Sequence, residues 1–258
     1  MQSLPQLILE PIQNHIEMGM EDLQVLTRKL AASDYYPELF EKAYGDKQVT
    51  KNRIADAVSQ FLGAMKSVDS KFDKGVQTNF RNFSAMERLG NDLFHSATLQ
   101  CSSCHNGSNF SAPDFPGGEY GDGGSSFTID EHGNVIDIDP NNFGEGGPAG
   151  TTNIGLDLVT KDEGRRDGNF RIPSLRNIAL TAPYMHDGRF NTLAEVVEHY
   201  DNGVQAHPAL DDKFKNPDGT IKRLNLTSVE KKALVAFLHT LTDESLITDE
   251  RFSDPFRK

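Results

Sequence analysis

The five residues 101–105, with the sequence CSSCH, carry the clearest chemistry in this chain. The pattern C-x-x-C-H is the attachment site of a c-type haem. In that chemistry the two thiols add to the haem vinyl groups as thioethers, and the next residue binds the iron as its proximal ligand. The spacing therefore predicts a covalent haem c on Cys101 and Cys104, with His105 on the iron.

Other uses of this cysteine pair fit the sequence less well. These are the only two cysteines in 258 residues. A disulfide at this spacing would close a very small, strained loop. A zinc site would need a second pair of ligands. A thioredoxin-like redox pair would require a βαβ context, which the surrounding sequence does not predict.

Composition limits the class of protein. The mean hydropathy is −0.52 and the sequence holds no apolar run of the roughly 18 residues that a membrane helix needs. The net charge is −12, with 26 basic and 38 acidic residues. This charge disfavours nucleic acid and anionic membranes and suits a basic partner, although an acidic surface that serves solubility alone explains it equally well. We expect no membrane span and no nucleic-acid partner.

The N-terminal sequence has no basic region of the kind that opens a signal peptide. Covalent haem is attached outside the bacterial cytoplasm. We therefore expect a periplasmic protein, seen here as a mature or trimmed chain.

Apolar spacing and capping residues predict a set of helices. Ser84 and Glu87 form a capping-box pattern, as do Thr192 with Glu195 and Thr227 with Glu230. The apolar stripes of the predicted helices are expected to face the core. The predicted helices cover residues 20–32, 50–68, 84–97, 192–200 and 227–241.

Residues 106–168 differ from the rest, because they hold 14 of the 22 glycines. Alternating apolar and polar residues over 127–138, around a Gly-Asn turn, predict a small β-hairpin there. The remainder of this stretch is predicted to be a long loop that surrounds a bound group such as a haem. The expected fold is mainly α. We expect an N-terminal helical segment at 1–49 and a cytochrome c-like haem domain at 50–258, and we expect that domain to carry long Gly-rich loops.

Five segments together suggest a family. They are residues 11–19 (PIQNHIEMG), the CSSCH motif, residues 170–190 (FRIPSLRNIALTAPYMHDGRF), and the C-terminal stretches 237–243 and 251–256. From residue 10 to the end, the chain resembles the C-terminal half of the bacterial di-haem cytochrome c peroxidases, a family that includes MauG. Members have two haem domains in one chain, and the first domain, with its own C-x-x-C-H, has no counterpart here. The tryptophan commonly placed between the two haems is also missing.

The resemblance implies that this chain is the electron-relay half of such an enzyme. In the family, hydrogen peroxide is reduced at the first haem, and the second haem passes electrons to it. The implied partners are a small electron-donor cytochrome or cupredoxin, hydrogen peroxide and the missing N-terminal haem half, with a homodimer as a further expectation. The alternatives are a MauG-like oxidase and a non-catalytic mono-haem electron carrier.

The distal haem ligand stays open on the residues alone, because Met185, His186, His199 and Tyr200 all follow the haem motif. Histidine and methionine are the common ligands of c-type haems. The resemblance favours Tyr200 instead, since the family places a methionine there in the peroxidases and a tyrosine in MauG. A distal position without a protein ligand is a further alternative.

The resemblance also implies roles for four further residues. Arg176 would pair with a haem propionate, the alternative being a surface arginine. The backbone carbonyls of Thr181 and Pro183 match a calcium site of the family. Glu17 matches the acid that assists peroxide cleavage over the first haem, although without that haem a solvated glutamate is the simpler expectation.

Overall fold

The computed structural model describes residues 4–20, 22–111, 126–129, 135–139, 151–156 and 168–254. The chain divides into two compact units, Met1–Lys66 with Asp254–Lys258, and Ser67–Ser253. The sequence-based boundary at residue 50 lies earlier than this division. Helix α4 (Lys51–Ala64) packs against the helices that precede it, which places it with the N-terminal unit.

The N-terminal unit is built of helices α1 (Leu4–Gln13), α2 (Leu23–Ala31), α3 (Tyr36–Tyr44) and α4. Side chains cap two of them: Asp22 accepts a hydrogen bond from the N–H of Gln24, and Thr50 accepts one from Arg53. The predicted helices at 20–32 and 50–68 are confirmed with shorter ends. Helices α1 and α3 were not predicted.

The apolar stripe of α4 does not face the core as expected. Ile54 is buried, but Val58, Phe61, Leu62 and Met65 are 37–47% exposed. All residues of α1 and α2, the helices packed against α4, are also at least partly exposed. The expectation failed because periodicity identifies an apolar face without identifying what covers it.

The second unit contains α5 (Lys71–Gln77), α6 (Ala85–Phe94), α7 (Leu193–Glu198), α8 (Ser228–His239) and α9 (Glu244–Ile247). All three predicted capping boxes are present, at the N-termini of α6, α7 and α8. A fourth, at α5, pairs Ser70 with Asp73. In each box the acidic side chain accepts from the backbone N–H of the capping residue, so two N–H groups at the helix start are satisfied.

Helices α6 and α8 cross at the centre of this unit, with Gly90 at the point of contact. An added Cβ at Gly90 would lie 1.9 Å from the carbonyl oxygen of Ala233, so only glycine fits there. Phe94 and Phe237 pack against each other in the crossing with tilted rings, whose centroids are 5.0 Å apart. This aromatic core continues to Phe110, which follows the haem motif.

Strands are few in the part of the chain that the structure describes. β1 (Ser126–Ile129) pairs with β2 (Val135–Asp139) in antiparallel fashion, which confirms the strands of the predicted hairpin. Its Gly-Asn turn and most of the Gly-rich stretch lie outside the described residues. β3 (Thr151–Thr152) pairs with β4 (Phe170–Arg171). The mainly α fold is confirmed, and no described helix has the length and apolar character needed to cross a bilayer.

Candidate haem-binding site

The CSSCH motif forms a tight loop at the end of a short helical turn, Cys101–Ser103. The backbone carbonyl of Cys101 accepts hydrogen bonds from the N–H groups of Cys104 and His105, at 3.3 and 3.0 Å. An isolated bridge between Asn106 and Ser111 then closes the loop. These contacts place both thiols and the histidine ring on one short, well-tied segment.

The backbone carbonyl of Phe110 contacts the ring of His105. Its Nδ1 lies 3.1 Å from the carbonyl oxygen of Phe110, and because a carbonyl can only accept, Nδ1 carries the proton. Nε2 is then the nitrogen that can bind a metal. Burial lowers the pKa of His105, against the opposing effect of the Phe110 and Pro173 carbonyls, which favours the neutral imidazole that ligation requires.

The segment 173–177 fixes the loop that holds this ring. The hydroxyl of Ser174 donates to the carbonyl of Asn109 at 2.5 Å, and Leu175 N–H donates to the carbonyl of Phe110 at 3.3 Å. Arg176 Nε donates to the carbonyl of Ser108 at 2.6 Å. Residues 174–176, which belong to the segment 170–190 that suggested the family, therefore contact the loop 106–111 that follows the C-x-x-C-H motif.

Arg176 has a protein partner that the sequence did not indicate. Its Nη1 and Nη2 donate to the two carboxylate oxygens of Asp73, at 3.0 and 2.9 Å. The side chains are only 12% and 17% exposed. With the contact to Ser108, three of the five guanidinium N–H groups are engaged. The pairing of Arg176 with a haem propionate stays a prediction.

The two cysteine thiols are half-buried and free. Burial raises the pKa of the Cys101 thiol to about 11. Burial also raises the pKa of the Cys104 thiol, with Lys213 acting in the opposite direction. Among the described residues, no group of three or more His, Cys, Asp or Glu side chains could hold a bare metal ion.

Tyr200 lies beside these thiols. Helix α7 ends in a π-helical turn, His199–Gly203, and Tyr200 is its second residue. Burial raises the pKa of the Tyr200 phenol above its usual value, and the charges of the Cys101 and Cys104 thiols raise it further. The ring stacks on Phe214, with centroids 6.0 Å apart. The structure thus brings Tyr200 to the haem-attachment motif.

The other distal candidates have different surroundings. His199 is buried, and its Nε2 lies 2.9 Å from the carbonyl oxygen of Ile154, so this nitrogen is engaged with the backbone. His186 is exposed and stacks on Phe170, with ring centroids 3.8 Å apart. Met185 is half-buried with a left-handed backbone, at φ 72°. Tyr200 is the candidate whose surroundings include both thiols.

The remaining predicted site residues are Glu17, Thr181 and Pro183. Glu17 is exposed in the turn after α1 and accepts a hydrogen bond from Asn14 Nδ2 at 3.0 Å, within the N-terminal unit. Thr181 and Pro183 are exposed and follow the short helical turn Ile178–Leu180. The catalytic role of Glu17 and the calcium-binding role of the two carbonyls stay predictions.

The donor set fits a haem c: two adjacent thiols, an imidazole with its Nε2 available, and a phenol close to the thiols. Sequence reasoning missed Phe110 and Asp73 as supporting residues. Asp73 could have been suspected, because Ser70-Lys-Phe-Asp73 is a capping box with aspartate in place of glutamate. Phe110 acts through its backbone, which carries no signal in the sequence.

Comparison with known proteins agrees with this site. Residues 1–80 match the family model described as di-haem cytochrome c peroxidase. Cytochrome c551 peroxidase of Nitrosomonas europaea is 31% identical over 236 residues, which cover 91% of this chain and 57% of that protein. The methylamine utilization protein MauG of Paracoccus denitrificans is 26% identical, covering 94% of this chain and 66% of that protein.

Solved structures give the same result for the fold. A MauG-like protein associated with microbial copper homeostasis is 29% identical, with a TM-score of 0.72 over 99% of this chain and 73% of that one. The di-haem peroxidase BthA of Burkholderia thailandensis, at 18% identity and a TM-score of 0.59, shares the fold. The chain spans 57% of the length of the cytochrome c551 peroxidase that it matches. On these similarities, together with its C-x-x-C-H loop, the chain is similar to the di-haem cytochrome c peroxidases and to MauG over more than half of their length.

Proposed function

We propose that this chain is the haem c half of a periplasmic di-haem peroxidase and relays electrons for the reduction of hydrogen peroxide to water. The observation that carries the proposal is the C-x-x-C-H loop, in which Nδ1 of His105 lies 3.1 Å from the Phe110 carbonyl oxygen and Nε2 is left for the iron, with Tyr200 as the proposed second ligand. A site closed by two protein ligands can exchange electrons but leaves no open position for peroxide.

The residues of the chain have separable tasks in this relay. A haem bound here would supply one-electron oxidation and reduction. Cys101 and Cys104 tether it, and His105 binds through Nε2 while Phe110 holds the opposite nitrogen. Tyr200 would have to give up its phenolic proton to become a strong ligand, which its burial opposes. The positive charge of a ferric haem would favour the loss of that proton. Water and peroxide are excluded from the side that the phenol occupies.

A second candidate function is a MauG-like oxidase. The identity of residue 200 supports it, because a phenolate is an anionic oxygen donor. Such a donor stabilises the ferric state, lowers the reduction potential and makes higher oxidation states easier to reach. A thioether at the same position would raise the potential and suit a plain electron relay.

The proposal includes a further haem-bearing half, which would supply the peroxide site. Support comes from the N-terminal unit, where Val58, Phe61, Leu62 and Met65 present a contiguous apolar stripe that is more than a third exposed. Exposed apolar patches of this kind mark surfaces that pack against another protein segment. Glu17, in the same unit, would then serve as the acid near that second site. The electron donor would be a small cytochrome or cupredoxin, and homodimer formation belongs to the same proposal.

Steady-state peroxide reduction by the isolated haem-loaded chain, with a reduced small cytochrome as donor, tests the relay assignment. We expect the chain to exchange electrons with the donor and to reduce peroxide poorly. Turnover equal to that of a complete di-haem enzyme, and abolished by Glu17→Gln, would place the active site in this chain and contradict the relay. If the chain oxidises the donor rapidly but reduces no peroxide, even when a peroxide-reducing haem half is added, the result would instead support the mono-haem electron carrier.

A further inference from the structure

The π-helical turn that carries Tyr200 is held by buried side chains on both sides of it. His199 is 5% exposed and Asp201 is 1% exposed. A π-helical turn contains one more residue per hydrogen-bonded ring than an α-helical turn, and it persists only where surrounding contacts support it. The direction of the Tyr200 side chain therefore depends on its two neighbours.

Asp201 connects the turn to the segment that leads into α8. Its Oδ1 accepts a hydrogen bond from Leu226 N–H at 2.8 Å, and its Oδ2 accepts from Lys231 Nζ at 2.5 Å and from Asn202 Nδ2 at 2.7 Å. The backbone carbonyl of Asp201 accepts from Leu224 N–H at 3.2 Å. Backbone and side chain of this one residue thus tie the turn to two points of the 224–226 segment and to α8.

His199 ties the other side of the turn. Its Nε2 donates to the carbonyl oxygen of Ile154 at 2.9 Å. Its Nδ1 would lie 3.1 Å from a Cβ added at Gly203, so the ring closes tightly over the end of the turn. Tyr200 stands between two anchored residues and has little freedom to swing.

A carboxylate buried as fully as that of Asp201 is costly, and an ion pair in such a place often contributes little net stability. Buried charges of this kind are retained in some proteins because they fix one geometry among several. The neighbouring residue here is the candidate distal ligand, whose distance to the iron must be set closely.

We propose that Asp201 is a positioning residue for Tyr200. Its carboxylate holds the π-helical turn in the one arrangement that directs the phenol at the haem-attachment site. This inference rests on the proposed role of Tyr200 as the distal ligand.

The test is Asp201→Asn in the haem-loaded chain, followed by the absorption and electron paramagnetic resonance spectra of the ferric form. The wild-type chain should give one ferric species with a tyrosinate-to-iron absorption band. Asp201→Asn should lose part of that band and show a second ferric species, together with faster amide hydrogen exchange over residues 199–226. The matched control is Glu198→Gln, which removes the exposed contact of the same Lys231 (2.6 Å) and should leave the spectra unchanged.

If Asp201→Asn does not accumulate with haem, Lys231→Met takes its place. That variant removes the ammonium partner of Asp201, and the spectral change should appear in it and be absent from Glu198→Gln. The inference is overturned if the ferric spectrum of Asp201→Asn is identical to that of the wild type. The same result in Lys231→Met overturns it where Lys231→Met is the variant measured. The proposed ligand is tested separately by Tyr200→Phe: if its spectrum equals the wild type, Tyr200 is not the ligand and the inference falls with it.

Discussion

The guanidinium of Arg176 and the carboxylate of Asp73 form a two-point ion pair between residues 103 positions apart in the sequence, with N–O distances of 3.0 and 2.9 Å. Asp73 also closes the capping box of α5, and Arg176 also holds the carbonyl of Ser108 in the haem loop. The pair therefore links the start of a helix to the segment that orients the proximal histidine.

Asp73→Asn should destabilise the second unit by about 2 to 4 kcal/mol, because it leaves a largely buried guanidinium without its charged partner. Denaturant unfolding monitored by circular dichroism measures the loss. Asp249→Asn is the control, since Asp249 pairs with the exposed Arg251 at 2.6 Å, and we expect it to destabilise the chain much less than Asp73→Asn does. Equal losses in the two variants would contradict the linking role of Asp73.

The same pair predicts a pH dependence of stability. Burial alone would raise the pKa of Asp73, but the hydrogen bonds from Arg176 and Ser70 outweigh it and hold the pKa below its usual value. A carboxyl with a lowered folded-state pKa contributes stability that is complete above the unfolded pKa of about 4 and is lost as the pH falls through the folded pKa. Stability measured from pH 6 downward should fall less steeply in Asp73→Asn than in the wild type.

Replacing Cys101 and Cys104 together by serine should abolish covalent haem. Serine hydroxyls do not form the thioether links, so haem stain should disappear from the chain on a denaturing gel. Ser102→Ala, which changes only a spacer position of the motif, should retain the stain. Stain that persists in the double variant would show that the haem is attached elsewhere.

Tyr200→Phe should remove the distal ligand. We expect loss of the tyrosinate absorption band and a rise in the reduction potential of roughly 0.1 V or more, because axial ligands shift haem potentials over a range of about 0.8 V. Potentiometric titration of the haem-loaded chain measures the shift. Tyr184→Phe, which removes a phenol that donates to the carbonyl of Ile178 at 3.0 Å, and Met185→Leu should leave band and potential in place. A change in Met185→Leu alone would assign the ligand to Met185.

Gly90→Ala should destabilise the chain by about 3 kcal/mol or more, because the added Cβ would overlap the Ala233 carbonyl and force α6 away from α8. Gly63→Ala in α4 is the control. An added Cβ there meets nothing within 4 Å, and alanine favours the helix by about 0.5 to 1 kcal/mol. Denaturant unfolding of both variants should therefore give changes of opposite sign.

The elements that the sequence predicted well are those that depend on neighbouring residues. The capping boxes at Ser84, Thr192 and Thr227 each involve residues three positions apart, and all three open helices at the predicted place. The C-x-x-C-H motif is an equally local signal, and the roles of its residues stay predictions. Their signals are local, so one sequence suffices to find them.

Other features depend on contacts across the fold and left no such signal. The partner of Arg176 lies 103 residues away, and the contact of His199 is a backbone carbonyl 45 residues away. The predicted helix 192–200 ends at Glu198, because the anchors at His199 and Asp201 open it into a π-helical turn. The apolar stripe of α4 predicted the helix correctly, but the prediction that this stripe faces the core was wrong.

The tight loop around Cys101 also bears on the order in which the protein is assembled. The nucleophile for vinyl addition is the thiolate, and a thiol with a pKa of about 11 is almost entirely protonated near neutral pH. In an unfolded chain the same thiol, at its ordinary pKa of about 8.5, is roughly three hundred times more often ionised. Covalent attachment of the haem should therefore precede folding of this loop. Chains that fold before attachment should acquire covalent haem slowly.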